Sequence, residues 1–209
     1  MAANYDTIAG TYDFISRIVF GKALVESQVC LLPYVPDKGR LLIVGGGTGW
    51  ILEALAKTHQ QELRIDYVES SAKMIARSQK RNCGTHRVNF IHTPVEHYNA
   101  KEKYDTILTA FFFDNFQATT IRDIFTRLDL LCNHQGIWLY VDFVYDKRKS
   151  PLWQKSLLKL MYFFFRVTSR IETKELLNMD FCFSGSYAKT VELSHYSGFI
   201  KSIVYKKIK

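Results

Sequence analysis

The chain has 209 residues, 47% of them apolar and 14% aromatic, enough to bury one well-filled α/β domain and too few for two comfortable ones. Its four cysteines, Cys30, Cys83, Cys132 and Cys182, lie far apart with no Cys-x-x-Cys pair, which argues against a disulfide framework and a zinc site and suits a reducing compartment. Twenty-eight basic against twenty acidic side chains give a net charge of +8, which favours anionic partners such as phospholipid, nucleic acid or acidic small molecules, or else a plain solvated basic surface.

The N-terminus shows no basic segment followed by an apolar one, and no run reaches the roughly 18 apolar residues of a spanning helix, so the expectation is a cytoplasmic protein. Residues 4–32 read as helix with a break at Gly21, because Val25, Val29 and Leu32 recur at helical spacing and Pro33 and Pro36 end the pattern. Tyr5 and Tyr12 fall on one face of that helix. Leu41-Leu42-Ile43-Val44 then reads as a buried strand that breaks into Gly45-Gly46-Gly47-Thr48-Gly49, and Trp50-Ile51-Leu52-Glu53-Ala54-Leu55-Ala56 opens a helix. A second strand over residues 63–68 closes on Glu69. Ser70 and Ser71 follow, where serine can cap a helix over 72–81 whose basic end, Arg77, Lys80 and Arg81, suits a helix C-terminus.

A third strand over 88–92 leads into Thr93-Pro94-Val95-Glu96, flanked by His92 and His97, which read as structural or surface histidines. The fourth strand, 104–110, ends at Ala110 and gives way to the loop Phe111-Phe112-Phe113-Asp114-Asn115-Phe116. A Thr119-Thr120 cap is expected to start a helix carrying Ile121, Ile124, Phe125, Leu128 and Leu131, after which Asn133-His134-Gln135-Gly136 turns into a fifth strand over 137–143. Residues 146–187 interrupt the alternation with Lys147-Arg148-Lys149 and an apolar helix edged with lysines. Such a helix packs as a lid or, alternatively, rests on an anionic membrane surface. A last helix over 189–197 and one lysine-rich edge strand over 199–208 complete the reading.

The glycine turn carries the chemistry. Glycine is needed where the backbone takes angles that a β-carbon resists and where a ligand approaches the main chain. The dinucleotide fingerprint wants a third glycine where Trp50 stands, and Gly49-Trp50-Ile51 lacks the Lys-Ser/Thr of a phosphate loop. What remains is Gly45-x-Gly47-x-Gly49, with a carboxylate, Glu69, placed about twenty residues on to accept both ribose hydroxyls of a nucleoside. Together these resemble the class I S-adenosylmethionine-dependent methyltransferases. Tyr5-Asp6-Thr7-Ile8-Ala9-Gly10-Thr11-Tyr12-Asp13 is similar to the N-terminal segment of the ubiquinone/menaquinone biosynthesis C-methyltransferases and their small-molecule relatives, where it forms part of a lid.

The resemblance covers most of residues 5–143. It implies a Rossmann-like doubly wound α/β fold with a mostly parallel sheet, order 3-2-1-4-5 plus a C-terminal edge strand, with N-terminal helices and a helical insertion after the fifth strand. It implies a single methyltransferase domain over 1–209, with a helical lid over 1–36 and the 146–187 insertion over the substrate pocket. The implied cofactor is S-adenosylmethionine, leaving as S-adenosylhomocysteine, held by Tyr12, Gly45, Gly46, Gly47, Gly49, Glu69, Ser70, Thr93, Pro94, Val95, Ala110 and Phe111, with no metal. Two positions depart from the family. Thr93 stands where relatives carry an acidic residue that receives the adenine amino group, and Ile43 where many carry a carboxylate that supports the cofactor's amino-acid end.

Methyl transfer from a sulfonium is an in-line displacement with an activated donor, so positioning can supply much of the catalysis. A phenol, enol or quinol acceptor also needs a base. Asp114, beside three phenylalanines, is the candidate, with Asn115 to orient the acceptor; the other reading of Asp114 is a cap for the following helix. The aromatic loop and insertion argue for a small aromatic or lipophilic acceptor. A nucleic-acid methyltransferase is the rival, disfavoured because Asp114-Asn115-Phe116-Gln117 lacks the two prolines of the base-stacking motif. A noncatalytic S-adenosylmethionine-binding module is the other alternative, on the strength of Ile43 and Thr93.

Overall fold

Strands with apolar residues on both faces can only sit in the middle of a layered fold, and β1 (Arg40–Val44), buried from Leu41 onward, does so. The computed structural model describes residues 17–146, 150–169 and 176–209. Parallel to β1 lie β2 (Arg64–Glu69) on one side and β4 (Tyr104–Ala110) on the other, with β3 (Arg87–His92) outside β2 and β5 (Cys132–Phe143) outside β4. The sheet has seven strands in the order 3-2-1-4-5-7-6, with β6 (Tyr187–His195) and β7 (Ile200–Lys207) antiparallel. The fold is a mixed α/β Rossmann-like one of the doubly wound kind. Strand order reverses between β1 and β4, so their carboxyl ends open a crevice.

Helices cover both faces. On one, Leu41, Ile43 and Val141 pack with Leu52 and Leu55 of α2 (Trp50–Thr58) and with Leu158 and Met161 of α5 (Leu152–Ser169); α1 (Ala23–Val29) lies on this side too. On the other, Leu42, Ile107 and Trp138 meet Ile121, Phe125 and Leu128 of α4 (Ala118–Leu131) and Phe183 of α6 (Asp180–Phe183). Trp138 stacks on Phe125 with ring centres 5.0 Å apart, and Phe183 stacks on Tyr205 at 3.8 Å. The period of two along β5, with Trp138 and Tyr140 to one cluster and Leu139, Val141 and Phe143 to the other, is what joins the two layers.

The helix break expected at Gly21 is present, with φ of +58° and its N–H donated to Arg17 O. Ser71 caps α3 (Ala72–Ser78), its Oγ accepting from Met74 N at 3.2 Å, and the helix ends three residues before the expected 81. Thr119 and Thr120 do not cap α4, because the helix has already begun at Ala118 with Gln117 at its N-terminus. The turn over 133–136 is a bulge inside β5: Cys132 pairs with Tyr104 and Ile137 with Thr106, and Gln135 takes a φ of +63°.

The C-terminal expectation needs the largest correction. Residues 189–197 are strand β6 and its turn, not a helix, so the sheet edge has both of its strands and β7 is internal, between β5 and β6. Tyr196, Ser197 and Gly198 all have positive φ, a tight turn closed by Gly198 N donating to His195 O at 3.0 Å. Ser197-Gly198 is a turn signal that outweighs the helical spacing before it. The lysines expected at an exposed edge lie across the hairpin, where Lys189 and Lys201 both pair with Glu192.

Candidate functional site

The carboxyl end of β1 runs into a cradle whose glycines are required for different reasons. Gly45, Gly47 and Gly49 have φ of +67°, +62° and +79°, angles that a β-carbon disfavours. Gly46 lacks a positive φ; instead a Cβ there would lie 2.3 Å from the Tyr67 ring. That ring is fully buried, and its hydroxyl donates to Gly47 O at 3.0 Å, so residue 67 props the turn from beneath. Gly49 starts α2 and sits against α3, where a Cβ would meet Ser78 Cβ at 2.5 Å. Arg81 ties the same loop down by donating from Nε to Thr48 O at 2.9 Å.

Glu69 ends β2 facing this turn. One carboxylate oxygen accepts from Gly47 N at 3.0 Å and the other from Ser71 N at 2.8 Å and Ser70 Oγ at 3.4 Å. Burial pushes the carboxyl up from the usual glutamate range, while the N–H groups of Ser71, Gly47 and Ser70 pull it back in part. A buried carboxylate held by backbone donors is a rigid acceptor aimed along the cradle.

Two further segments close the cavity. After β3, residues 93–96 line it, and Glu96 contributes a buried Oε2 with no hydrogen-bond partner among the described residues. After β4, Phe111 is forced to a φ of +51° while its N–H donates to Val141 O at 2.8 Å. Asn115 Nδ2 holds that bend by donating to Phe111 O at 3.1 Å, Phe112 O at 2.9 Å and Asp114 Oδ1 at 2.8 Å. Strained backbone of this kind persists only where the surroundings over-determine it, as they do here.

Of the residues expected from sequence, Gly45, Gly46, Gly47, Glu69, Ser70, Thr93, Pro94, Val95, Ala110, Phe111 and Asn115 all line the one cavity. Gly49 stands just behind it at the start of α2, and Tyr12 and the Tyr5–Asp13 string lie outside the described residues. Asp114 does not line the cavity. Its carboxyl accepts from Asn115 Nδ2 and lies near enough to the buried Asp142 at the end of β5 to push that carboxyl up, and α4 begins at Ala118 without a side-chain cap, so Asp114 is not the helix cap either. Ile43 is packed in the core beneath α2 and offers the cavity nothing. His92 is a surface histidine on Ser70 O, at 3.0 Å.

Sequence reasoning missed several lining residues, among them Gln28 and Glu96. Gln28 of α1 is buried against the cavity, its amide anchored on Leu24 O at 2.9 Å; it belongs to a helix that periodicity alone could not dock. Glu96 was legible as the one carboxylate in the stretch after β3, displaced three positions from the place where the family resemblance put attention. Among the described residues no group of three or more His, Cys, Asp and Glu side chains could hold a metal ion, and no helix is long and apolar enough to cross a membrane.

Residues 41–136, just under half of the chain, match the family described as a methyltransferase domain, and this span contains the whole glycine cradle, Glu69, Glu96 and the Phe111–Asn115 bend. No curated protein sequence matches the chain. Among solved structures, CalO1, a methyltransferase in calicheamicin biosynthesis in its S-adenosylhomocysteine-bound form, is similar with a TM-score of 0.64 at 16% identity; the match covers 88% of this chain and 54% of that one. The chain thus spans about half the length of that protein. Magnesium protoporphyrin IX methyltransferase (ChlM) from Synechocystis PCC 6803, with S-adenosylhomocysteine bound, gives a TM-score of 0.68 at 13% identity and covers 97% of both chains. The N-methyltransferase NodS from Bradyrhizobium japonicum WM9 gives 0.62 at 12%, over 88% of this chain and 86% of that one. At these identities the likeness is one of fold.

Proposed function

We propose that this chain, whose residues 41–136 match the family described as a methyltransferase domain, is a cytoplasmic enzyme that transfers a methyl group from S-adenosylmethionine to a small aromatic or lipophilic acceptor. The observation that carries the reading is Glu69, a buried carboxylate anchored on Gly47 N and aimed along a glycine cradle that opens into an aromatic-walled cavity. That arrangement fits a nucleoside with a charged tail. Glu69 would accept the ribose hydroxyls, the cradle at 45–47 would let the tail approach the main chain, and Thr93 to Glu96 would border the base. The subtype suggested by the Tyr5–Asp13 string stays part of the proposal, with the segments over 1–36 and 146–187 assigned to cover the acceptor.

When bound, the cofactor supplies an electrophilic methyl on sulfur. The chain's own contribution is positioning. Phe111, Phe112 and Phe116 line the apolar side of the cavity, exclude water and hold a flat acceptor, while the Asn115 clasp fixes the bend on which they are mounted. Asp114, turned away from the cavity, serves as a positioning residue that keeps the Asn115 amide oriented through its Oδ1. No base on this side of the loop is required for an acceptor already ionised or nucleophilic as a neutral amine.

The test is calorimetric titration with S-adenosylhomocysteine. We expect the native chain to bind, and Glu69→Ala to weaken binding by roughly 1–3 kcal/mol, the cost of leaving buried hydroxyls without an acceptor. Glu69→Gln, which keeps one acceptor oxygen for Gly47 N, should recover part of the loss. Binding should also weaken on acidification, with a midpoint above the usual glutamate value of 4.5, because burial raises this carboxyl and the protonated form loses acceptor capacity. A folded native chain that does not bind would remove the proposal.

Glu96 supplies a second, sharper test. Its unpartnered Oε2 is the acceptor we assign to the adenine amino group, in place of Thr93. Glu96→Ala should weaken S-adenosylhomocysteine about tenfold, the worth of a charge-assisted hydrogen bond. The same substitution should leave the affinity for S-inosylhomocysteine, which has no amino group at that position, unchanged or improved. Equal loss for both nucleosides would assign Glu96 to structure.

A further inference from the structure

We infer that α5 and the helical turn before Gly21 form a docking surface for an anionic lipid bilayer. α5 is amphipathic in an unusual sense. Its inner side is spent on the fold, with Leu158 and Met161 in the core and Gln154 Nε2 donating to Ser197 O at 3.0 Å. Its outer side is not polar throughout: Leu152 is 83% exposed, Leu160 59% and Trp153 43%, interleaved with exposed Lys155 and Lys159.

The charge is one-signed. Between Asp146 and Glu172 the chain has seven basic residues and no acidic one. A helix on a water-facing surface gains nothing from exposed leucine and tryptophan, whereas a helix lying in the headgroup region buries them and lets lysine stems reach the phosphates. No helix among the described residues is long and apolar enough to cross a membrane, so the contact is one of lying on the surface.

A second element reaches the same place. The Tyr196 ring touches Trp153, with centres 5.6 Å apart, and Phe20, at 5.5 Å, while its hydroxyl donates to Val19 O at 2.9 Å. The turn it holds carries Ile18, 68% exposed, with exposed Arg17 and Lys22 on either side in sequence. Two separate stretches, each pairing an exposed aliphatic residue with basic ones, are therefore clamped together by one tyrosine. An anionic bilayer is the partner that takes both the apolar and the basic component. A nucleic acid would use the lysines and leave Leu152, Leu160 and Ile18 in water.

The test is flotation of the full chain with phosphatidylcholine vesicles, with and without phosphatidylglycerol, at low and high salt. We expect partitioning onto the phosphatidylglycerol vesicles only, reduced by salt. Lys155→Glu with Lys159→Glu should weaken it by roughly twentyfold or more, from the per-lysine contribution at a charged surface. Leu152→Ser with Leu160→Ser should weaken it while keeping the salt dependence. All four side chains are exposed, and circular dichroism and thermal melts check that the variants are folded independently of S-adenosylhomocysteine binding, so failure of docking stays separate from failure of the proposed function. Equal binding to neutral vesicles, no binding to anionic ones, indifference to the α5 substitutions, or α5-dependent capture of nucleic acid without vesicle binding would each overturn the inference.

Discussion

Gly46→Ala is expected to destabilise the fold by roughly 2–3 kcal/mol and to abolish S-adenosylhomocysteine binding, whereas Gly47→Ala, one residue on, should cost about 1 kcal/mol. The two glycines are adjacent in the same turn, but their surroundings are opposite. A Cβ on Gly47 meets nothing within 4 Å, so alanine there bears only the strain of a φ of +62°. A Cβ on Gly46 would stand 2.3 Å from Cε2 and Cζ of Tyr67 and 2.5 Å from its hydroxyl. The ring cannot retreat easily, because it is fully buried, has Phe90 at 5.5 Å and is tethered through its hydroxyl to Gly47 O. Either the ring turns and leaves a buried hydroxyl without an acceptor, or the turn lifts and breaks the Gly47 N to Glu69 contact. Thermal melts of the two variants, with ligand titration, read out both effects. Tyr67→Leu in the Gly46→Ala background should relieve the overlap, so the double variant should be less destabilised than the sum of the singles by at least about 1 kcal/mol. Strict additivity would mean that the ring is not what forbids a side chain at 46.

That contrast shows what a sequence can reveal here. The strand, turn and helix around the cradle were legible because each has a local signature: β-branched residues in a buried run, glycines where the chain must turn left-handed, a helical repeat after Trp50. Glu69 was legible because a strand tip is a fixed distance from its neighbour's turn in a parallel sheet, and the register of Val44 with Val68 is that distance. The reason for Gly46 was not legible, since it depends on which side of β2 Tyr67 faces and how far the ring reaches. The β6 hairpin was misread because an exposed edge strand has few buried positions to display a period of two; of Tyr187–His195 only Tyr187 is buried. Asp114 showed the same limit at the site. Its neighbours in sequence are aromatic and suggest a desolvated base, yet the short helical turn Phe113–Asn115 rotates it away from the cavity and brings Asn115 in.

The burial of Asp114 near Asp142 has its own consequence for stability. It lies close enough to act on Asp142, which is 2% exposed; Asp142 Oδ1 accepts from Phe143 N at 2.9 Å, and Oδ2 has no hydrogen-bond partner among the described residues. Burial pushes the Asp142 carboxyl well up from the ordinary aspartate range, and the neighbouring Asp114 charge pushes it further, with the N–H groups of Phe143, Asp114 and Phe113 opposing in part. Asp114 is raised too, by burial. Two such groups hold a proton in the folded state that the unfolded chain has already released above about pH 4, so the folded state binds more protons and stability falls as pH rises through the raised values. Asp142→Asn removes the charge at constant shape, keeps an oxygen for Phe143 N and offers an N–H to Asp114. We expect it to stabilise the protein by about 2 kcal/mol near pH 8, or roughly 4–8 °C in Tm, while near pH 5 the two melting curves should nearly coincide. A native chain whose stability does not decline between those pH values, or an Asn variant that melts lower at both, would show that the pair is satisfied as it stands. The effect should also reach the cavity, because Asp142 lies beside the main chain of Phe113 and Asp114, the segment that carries the Phe111 bend. Neutralising Asp142 should therefore flatten any loss of ligand affinity at alkaline pH along with the loss of stability, joining the buried carboxyl pair to the wall of the site.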